Sequence, residues 1–409
     1  MQKKRVLQIN SVINSGSTGR IAEEIGLKAI SNDWESYIAY GRNDRPSKSH
    51  KIKIGNKLDI YWHVLITRLS DRHGLGSKRA TKRLIKEIEK VQPDIIHLHN
   101  IHGYYLNYEI FFEYLKATNT PIVWTLHDCW IMTGHCAHFD YIKCDKWKSH
   151  CNFCPQRYTY PKSFYDRSFN NYKLKKKLFC SKAEDMTLVP VSEWLSNILS
   201  NSFLYKSPKK NIHNGIDINT FSPQKSTLKN SLGIDDKFVI IGVASIWDAR
   251  KGLEDFKKLS EQLNDDEIIL LIGLSEKQIS ELPKDIIGIT RTENVKQLAE
   301  FYSIADVFVN PTWEDSYPTT NLEATACGTP IITYKTGGSP ESVSPETGFV
   351  VEKGNLGELR KVINTIKQNG KSFYSIACRE RAVKMFNKED RYAEYIELYE
   401  ELLQGKRGD

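Results

Sequence analysis

Short apolar runs alternate with longer amphipathic segments along most of the chain, and the pattern occurs twice. In the first half it predicts β-strands at RVLQIN (5–10), SYIAYG (36–41), DIIHLHN (94–100), PIVWTLHD (121–128) and MTLVPVS (186–192). In the second half it predicts strands at KFVIIGVAS (237–245), EIILLIG (267–273), DIIGIT (285–290), DVFVNP (306–311) and PIITYK (330–335). Segments with helical spacing separate these runs, for example VKQLAEFYSIA (295–305), TNLEATAC (320–327) and KEDRYAEYIELYEELLQ (388–404). Strands that alternate with helices are typical of βαβ units and parallel sheets.

The two series predict an α/β fold with two Rossmann-like domains that are joined near residues 215–235. We place the first domain at residues 1–216 and the second at residues 217–387. Ligands of such sheets bind beyond the carboxyl ends of the strands, and two facing domains would place them in an interdomain cleft. We therefore expect functional residues in the loops that follow the predicted strands.

Two loops of the first half carry candidate residues. SGSTGR (15–20) follows the first strand and opens a helix, where Gly16 and Gly19 would let backbone N–H groups approach an anion. His127 follows the fourth predicted strand, and the adjacent Asp128 could hold its tautomer while the imidazole orients a hydroxyl. Both features have a plainer interpretation, namely an ordinary glycine-containing turn and a core histidine bonded to the backbone.

The second half has a pair of cations where a strand gives way to a helix. In SIWDARKGLEDF (245–256), Arg250 and Lys251 directly precede Gly252. Two cations at this point suit a diphosphate, because they would neutralise the charge that builds up on a leaving phosphate. A solvated turn is the alternative, and the position at a βα junction favours the diphosphate.

Three acidic residues follow the strand DVFVNP, within TWEDSYPTTNLEATACGTPII (312–332). We expect Glu314 and Asp315 in a loop and Glu323 in the first turn of the next helix. A carboxylate can accept hydrogen bonds from two vicinal ribose hydroxyls, and an upstream acid could contact hydroxyls of a bound sugar. TGGSPE (336–341), which contains Gly338, adds a glycine-rich turn at the same edge.

Composition and charge indicate where in the cell the protein is expected. The chain has 409 residues, of which 40% are hydrophobic and 26% charged, as in an ordinary globular protein. We interpret the basic start as a first strand and not as a signal peptide, so we expect a cytoplasmic protein with reduced thiols. The net charge of +8 is concentrated in segments 48–69 and 76–90, where Lys and Arg stand beside apolar residues at helical spacing. Such segments can lie in a lipid interface, or they can be helices with a solvated basic face.

Five of the eight cysteines lie in one polar segment, 129–155. Cys151 and Cys154 have the C-x2-C spacing of a zinc half-site, and Cys136 and Cys144 could complete a tetrahedral site. His135, His138 and His150 are alternative ligands; an iron–sulfur cluster and four unligated thiols are alternative states. A site with four cysteine ligands has no open position, so we expect a structural zinc clip and not a catalytic metal.

The motifs in order resemble glycosyltransferase family 4, a family of retaining enzymes with the GT-B fold. The resemblance runs over nearly the whole chain. It is carried by SGSTGRIAEEI, PDIIHLHN, TLHD, PVSEWL, IHNGID with the following Phe221, RKG, LAEFYSIADVFVNPTWED, and LEATACGTPII followed by TGGSPE. The chain is most similar to bacterial members that build capsule, exopolysaccharide or O-antigen repeat units. The GT-B fold also implies that residues 388–409 return to the first domain.

The resemblance implies a role for each residue at the donor site. Arg250 and Lys251 would hold the diphosphate of a nucleotide-sugar, and Glu323 would bind the ribose. Counting back along the family's E-x7-E pattern from Glu323 gives Asp315, so Asp315 would contact the donor sugar, with Glu314 one residue out of register. The arginine that the family has five or six residues before the lysine is replaced here by Ile246 or Ser245, and Arg250 would take its place.

For the remaining residues and partners the resemblance implies the following. His127 would lie near the reacting sugar, and Gly16 and Gly19 near the diphosphate and the acceptor. We expect a UDP-sugar donor, a saccharide acceptor linked to polyprenyl diphosphate, contact with the inner face of the plasma membrane, no catalytic metal and no nucleic acid.

Two rival functions are a nucleotide-sugar epimerase or hydrolase of GT-B-like fold and a zinc-containing nucleic-acid-binding protein. Acceptor dependence separates the first rival, and the acids at 315 and 323 argue against the second.

Overall fold

The computed structural model describes residues 3–405, which form twelve strands and fourteen α-helices. The elements of the first half are β1 (Arg5–Val12), α1 (Gly16–Ser31), β2 (Glu35–Arg42), β3 (His50–Lys53), α2 (Lys57–Ser70), α3 (Lys78–Val91), β4 (Ile95–Leu98), α4 (Tyr108–Lys116), β5 (Ile122–Leu126), α5 (Ser168–Cys180), β6 (Met186–Pro190) and α6 (Glu193–Ser200). Short 3₁₀ helices span Trp130–Met132 and Lys146–Lys148.

The second half begins with α7 (Leu228–Ser231), β7 (Phe238–Val243), α8 (Leu253–Ser260), β8 (Glu267–Ile272), α9 (Glu276–Ser280), β9 (Ile286–Ile289) and α10 (Val295–Ile304). It continues with β10 (Val307–Asn310), α11 (Thr319–Ala326), β11 (Ile331–Tyr334), β12 (Gly348–Val351), α12 (Leu356–Asn369), α13 (Lys371–Met385) and α14 (Lys388–Gly405). Two 3₁₀ helices span Ala249–Lys251 and Ser339–Ser342.

Each half of the chain builds one six-stranded parallel sheet. The order in the first sheet is β3-β2-β1-β4-β5-β6, and in the second it is β12-β11-β10-β7-β8-β9. Strands β4, β5, β6, β10 and β11 are buried at every residue, as expected for parallel strands covered on both faces. This burial explains why the strands appear in the sequence as continuous apolar runs.

The chain divides into two compact units. The first comprises the described residues up to His213 and again from Arg391, and the second comprises Asn214–Asp390. Within the first unit, α14 buries Tyr392, Tyr395 and Tyr399 in the core. The Tyr399 hydroxyl lies 2.6 Å from His97 Nδ1, and the Tyr395 hydroxyl accepts a hydrogen bond from Thr125. The last helix is thus part of the core of the first unit.

All ten predicted strands are present, and two further strands were missed. Strand β3 lies at the edge of its sheet and consists of exposed, mostly basic residues, so it carries no apolar signal. Strand β12 is likewise an edge strand of only four residues. The interpretation of segment 48–69 as helical was wrong for residues 50–53, which form β3, and correct from Lys57 onward.

The structure also bears on membrane insertion. Among the helices of residues 3–405, none combines the length and apolar character that crossing a membrane requires.

Candidate active site

The two sheets place their candidate residues by the same topology. In each sheet the chain starts at a central strand, winds outward to one edge, and then returns to the other side of that strand. The winding therefore reverses between β1 and β4 in the first sheet and between β7 and β10 in the second. A reversal of this kind opens a crevice at the carboxyl ends of the two strands, where ligands of such folds bind.

The cation pair follows β7, on one side of the reversal point in the second sheet. Arg250 and Lys251 lie in a 3₁₀ turn, and the Asp248 side chain accepts the Arg250 N–H at 3.0 Å. Gly252 ends the turn with φ +78, and a Cβ at this position would lie 2.2 Å from the Pro311 carbonyl oxygen. Only glycine fits, so the backbone of the turn lies directly against the loop that follows β10.

Both cations contact the acidic loop after β10. Lys251 Nζ forms an ion pair with Asp315 Oδ2, and Arg250 Nη1 donates to the Glu314 carbonyl oxygen at 2.6 Å. The Trp313 N–H in turn donates to the Arg250 carbonyl oxygen at 2.8 Å. The structure thus brings together the predicted residues Arg250, Lys251, Glu314 and Asp315 at one place.

The two acids of this loop differ in their surroundings. Glu314 is 1% exposed, whereas the Asp315 side chain retains 19% of its exposure. Asp315 is the carboxylate that forms the ion pair with Lys251, and it is the more exposed of the two. The sequence left open which acid points toward the site, and this difference favours Asp315.

The glycine-rich turn after β11 supports the same loop. Gly338 N donates to the Asp315 carbonyl oxygen at 3.0 Å. Gly337 has φ +55, and a Cβ there would lie 1.9 Å from that same oxygen. The Thr336 hydroxyl donates to the Trp313 carbonyl oxygen at 2.8 Å. The turn therefore fixes the backbone on both sides of the Glu314–Asp315 pair.

Glu323 is held on α11, below this edge of the sheet. It lies in the second turn of the helix, which begins at Thr319, so the predicted first-turn position was wrong. The helix begins one residue before the predicted start, with Pro318 as its N-cap, so Glu323 is its fifth residue. Glu323 is 5% exposed, and its Oε2 accepts a hydrogen bond from the Tyr302 hydroxyl at 3.0 Å.

Sequence reasoning missed a buried amide network that joins these elements. Asn310 Nδ2 donates to Asn321 Oδ1 at 2.7 Å, and Asn321 Nδ2 donates to Ser342 Oγ at 2.8 Å. The network connects the end of β10, the start of α11 and the turn after β11. The only signal in the sequence is that both asparagines lie next to recognised motifs, and an asparagine there could equally have been a cap or a turn residue.

In the first unit, the glycines after β1 have different structural roles. Gly16 begins α1 with φ +62, and no atom within 4 Å would meet an added Cβ. At Gly19 a Cβ would lie 2.9 Å from Val12 Cγ2, so this glycine lets α1 pack closely against β1. Asn14 N also donates to the Gly19 carbonyl oxygen at 3.2 Å. The geometry thus explains Gly19 by packing, whereas Gly16 begins the helix with open space beside it.

His127 lies directly after β5, where its partner is another histidine. His99 Nδ1 is 3.1 Å from His127 Nε2, and the two rings stack at 5.4 Å. Burial lowers the pKa of His127 to about 4 despite the nearby Asp128 carboxylate. His127 is therefore a neutral imidazole at neutral pH, with its orientation set by His99.

The expectation that Asp128 holds the tautomer of His127 was wrong. Asp128 Oδ2 lies 3.0 Å from His102 Nε2, and its Oδ1 accepts the Trp130 N–H at 2.9 Å. Burial would raise the pKa of Asp128, yet the His102 ring holds it well below the usual range. His102 Nδ1 is in turn 3.1 Å from the Tyr160 hydroxyl. This Tyr160–His102–Asp128 chain was not foreseen, because Tyr160 and His102 lie outside the recognised motifs.

The four predicted metal-ligating cysteines do converge in space. Cys136, Cys144, Cys151 and Cys154 line one small cavity, together with His135. The Cys136 thiol hydrogen-bonds to Cys154, which lowers the pKa of Cys154 to about 7. The Gly134 N–H donates to Cys151 Sγ at 3.2 Å.

This convergence does not by itself make a metal site. Within residues 3–405, no group of three or more His, Cys, Asp or Glu side chains has an arrangement that could hold a metal ion. The predicted zinc site is therefore without support. What the structure shows is a cluster of thiols inside the first unit, in which Cys136 is buried and the other three cysteines are half-buried.

Comparison with protein families covers most of the chain in two parts. The model described as "Glycosyltransferase Family 4" matches residues 19–220, and the model described as "Glycosyl transferases group 1" matches residues 224–384. Among curated proteins, the putative colanic acid biosynthesis glycosyl transferase WcaC of Escherichia coli is 27% identical over 228 residues, which is 53% of this chain and 55% of WcaC. The capsular polysaccharide biosynthesis glycosyltransferase CapM of Staphylococcus aureus is 27% identical over 258 residues, 56% of this chain and 64% of CapM. The chain thus spans less than two thirds of the length of these relatives.

Solved structures with a similar fold cover nearly the entire chain. Sucrose-phosphate synthase from Thermosynechococcus elongatus aligns with TM-score 0.73 and 17% identity over 98% of this chain and 100% of its own. Anabaena HepE in complex with UDP aligns with TM-score 0.67 and 15% identity over 97% of this chain and 100% of its own. At these identities the likeness concerns the fold. The likeness and the two six-stranded parallel sheets show the GT-B fold, and the two family models show that the chain belongs to glycosyltransferase family 4.

Proposed function

We propose that the protein transfers a sugar from a nucleotide-sugar to a saccharide acceptor with retention of anomeric configuration. The observation that carries this proposal is the junction of the loops after β7 and β10, where Lys251 pairs with Asp315 and Arg250 is bonded to the Glu314 backbone. Two cations and a carboxylate at the reversal point of a Rossmann-like sheet suit the diphosphate and the sugar of such a donor.

The ion pair would order the proposed donor site before the donor binds. Each of Lys251 and Asp315 holds the other in place, so the two side chains are already ordered at the edge of the sheet. A bound diphosphate would take Lys251 as its counter-ion, and Asp315 would then be directed to the hydroxyls of the sugar. A fixed cation beside the leaving phosphate stabilises the charge that develops as the glycosidic bond breaks.

Glu323 and Tyr302 would bind the nucleoside. A carboxylate accepts hydrogen bonds from both ribose hydroxyls only if its plane is oriented, and the Tyr302 hydroxyl fixes one of its oxygens. UDP is the nucleotide that we propose, supported by the complexes of HepE with UDP and with UDP-glucose. His127, a neutral imidazole held by His99, would donate or accept a hydrogen bond at the reacting sugar without adding positive charge there.

For the acceptor we propose a saccharide on a polyprenyl diphosphate carrier, at the cytoplasmic face of the membrane, in the assembly of a capsular or related polysaccharide. The names of WcaC and CapM support the polysaccharide. The exposed apolar residues of α2, among them Tyr61 and Trp62, support contact with lipid, because they lie on a helix that also carries basic side chains.

An assay of transfer tests the proposal directly. Purified protein would be incubated with radiolabelled UDP-sugars and a synthetic polyprenyl-diphosphate saccharide, and the anomeric configuration of the product read by NMR. Retained configuration with strict dependence on acceptor supports the proposal. Conversion of the UDP-sugar without any acceptor would instead indicate an epimerase or hydrolase.

We propose a structural role for the cysteine cluster, as a clip that orders segment 129–155. Four thiols on one cavity support the clip, and His135 adds an imidazole whose Nδ1 is held by Asp71 at 2.6 Å. Metal analysis of the purified protein decides whether the clip contains zinc. About one zinc per chain, lost on substitution of Cys151 and Cys154 by serine, would establish the zinc clip. A folded protein without zinc would leave a clip formed by packing alone.

A further inference from the structure

A group of buried donors without partners lies at the carboxyl edge of the first sheet, outside the proposed donor site. Arg42 is the last residue of β2, and Arg68 lies near the end of α2. Within the part of the chain that the structure describes, the Nε atoms of both arginines are buried without a hydrogen-bond partner. Both ring nitrogens of His73, which is 3% exposed, also lack a partner. Burial lowers the pKa of this imidazole, so it is neutral, and one nitrogen is a donor while the other is an acceptor. Buried donors are rarely left unpaired in proteins, so this group calls for a ligand.

Two tyrosines connect the unpaired donors into one cluster. Both arginines act electrostatically on the Tyr104 hydroxyl, and Arg42 also acts on Tyr160. The His73 ring packs edge-on against Tyr104 at 4.9 Å and against Tyr160 at 5.5 Å. The His73 ring thus contacts both tyrosines, and the two arginines, which carry a permanent positive charge, are near enough to Tyr104 to act on its hydroxyl.

The backbone at this place is shaped to admit Arg42. Gly103 has φ +112, and a Cβ there would lie 3.3 Å from Arg42 Nη2 and 3.2 Å from Ser11 Cβ. A larger residue would displace the guanidinium from the edge of the sheet. Guanidinium N–H groups bind phosphate and carboxylate oxygens by charge-assisted hydrogen bonds, so an anion of the phosphate class suits the unpaired Nε donors of Arg42 and Arg68.

Helix α2 carries an apolar stripe beside this cluster. Its exposed members recur at helical spacing and are Leu58, Tyr61, Trp62, Leu65 and Leu69. Arg68 lies between the last two, and its carbonyl oxygen accepts the Phe164 N–H at 2.8 Å, which places the exposed Phe164 next to the same helix end. Helix α2 thus carries both a cation, Arg68, that suits a phosphate and an apolar stripe that suits a hydrocarbon chain.

We propose that Arg42 and Arg68, with Tyr104, Tyr160 and His73, bind the phosphate groups of an isoprenoid diphosphate, and that the α2 stripe binds its chain. This inference rests on the proposed function, since it assigns the site at which the lipid-linked acceptor is held. It adds which residues recognise the lipid carrier, as distinct from its saccharide.

Calorimetric titration of the intact protein tests this assignment with three probes, namely farnesyl diphosphate below its aggregation concentration, farnesol and inorganic diphosphate. We expect the first to bind more tightly than either of the others. Arg42→Gln combined with Arg68→Gln should weaken farnesyl diphosphate binding by about tenfold or more, because two charged hydrogen-bond donors are lost. Arg72→Gln, at an exposed arginine of the same segment, is the matched control and should change binding less than about twofold.

Further variants separate the two parts of the site and guard against misfolding. Leu65→Gln with Leu69→Gln should weaken farnesyl diphosphate but not inorganic diphosphate. Arg42→Lys with Arg68→Lys keeps the charge, so it should fold and retain part of the affinity if the double glutamine variant fails to fold. UDP binding should be unchanged in all of these variants, so a failure of the donor proposal would be seen separately.

Two results would overturn the inference. The first is farnesyl diphosphate binding that survives the double arginine substitution but is lost in Lys251→Ala, which would place the probe in the donor site. The second is inorganic diphosphate that binds Arg42 and Arg68 as tightly as farnesyl diphosphate, which would identify a free phosphate compound as the ligand and contradict the lipid assignment.

Discussion

At the edge of the second sheet, opposite charges are already paired: Lys251 with Asp315, supported by Arg250 on the Glu314 backbone. At the corresponding edge of the first sheet, the chemistry is that of neutral imidazoles, with His127 and His99 bonded to each other and Arg42 left without a partner for its Nε. The topology of the two edges is the same, so the difference lies in the side chains. In our proposal, the paired charges stay ordered until the nucleotide-sugar replaces one partner. The unpaired hydrogen-bond donors of the first sheet instead bind an anion directly.

The largest expected effect on transfer is that of removing the paired cation. Lys251→Ala should reduce transfer by about 10³-fold, because the charge on the leaving diphosphate loses its fixed counter-ion. Glu323→Ala should also abolish measurable transfer, through loss of the nucleoside contact. Turnover of purified variants measures both, with the exposed Lys258→Ala on the following helix as control. Near-wild-type turnover of Lys251→Ala would contradict the assignment of the donor site.

A backbone change should disturb the second edge without removing any charge. Gly337→Ala would put a Cβ 1.9 Å from the Asp315 carbonyl oxygen at φ +55, so the turn or the acidic loop must move. We expect a loss of at least ~2 kcal/mol in the free energy of unfolding, together with weaker donor binding. Gly233→Ala is the matched control, because Gly233 has φ +67 with no atom within 4 Å of an added Cβ. Equal melting temperatures of the two variants would show that the contact with Asp315 is unimportant.

The buried histidines of the first unit should make its stability depend on pH. Burial lowers the pKa of His63 and of His97 to about 3, from the ordinary value of 6.5. Below pH 6.5 these histidines are therefore protonated in the unfolded chain but not in the folded chain. The free energy of unfolding should fall as the pH drops from 6.5 toward 3. Urea unfolding at pH 7 and pH 5 should differ by ~2 kcal/mol or more.

One substitution tests whether the buried histidines cause this pH dependence. His97→Gln removes one of the buried histidines with a lowered pKa while an amide can still reach Tyr399 or Thr125, so the loss between pH 7 and pH 5 should become smaller. The same substitution at the exposed His50 serves as control. An unchanged pH dependence in His97→Gln would mean that other groups set the acid sensitivity.

A smaller effect is expected where a neutral hydroxyl orients a carboxylate. Tyr302→Phe removes the hydrogen bond to Glu323 Oε2 but keeps the ring. We expect UDP affinity to fall by about tenfold, because the carboxylate loses one of the groups that fix its plane. Calorimetry measures the affinity, and Tyr374→Phe, whose hydroxyl contacts Asn369, is the control. A greater loss in the control would indicate a general effect of removing tyrosine hydroxyls.

The sequence allowed the sheets to be predicted because their strands are buried on both faces and appear as apolar runs. It did not reveal β3, because an exposed edge strand made of HKIK has no such run. The residues of the proposed donor site could be named in advance, since Lys251, Asp315 and Glu323 follow strands in recognisable motifs. Their mutual contacts could not, because an ion pair between residues far apart in sequence depends on strand order.

The first edge was harder to predict for a related reason. His127 was identified from its position after β5, but its partner His99 follows β4 and was not singled out. Arg42 and Tyr160 carry no motif, and their importance appears only when burial and missing partners are known. Four cysteines were correctly grouped in one place, yet spacing alone could not establish whether they hold a metal ion.

Titration of UDP into the wild-type protein and into Lys251→Ala by calorimetry tests the central claim most directly. The account predicts binding to the wild type, with affinity at least about tenfold weaker in the variant because a charged contact to the diphosphate is lost. Equal affinity in both proteins, or no binding of UDP to the wild type, would contradict the placement of a UDP-sugar donor at the edge of the second sheet.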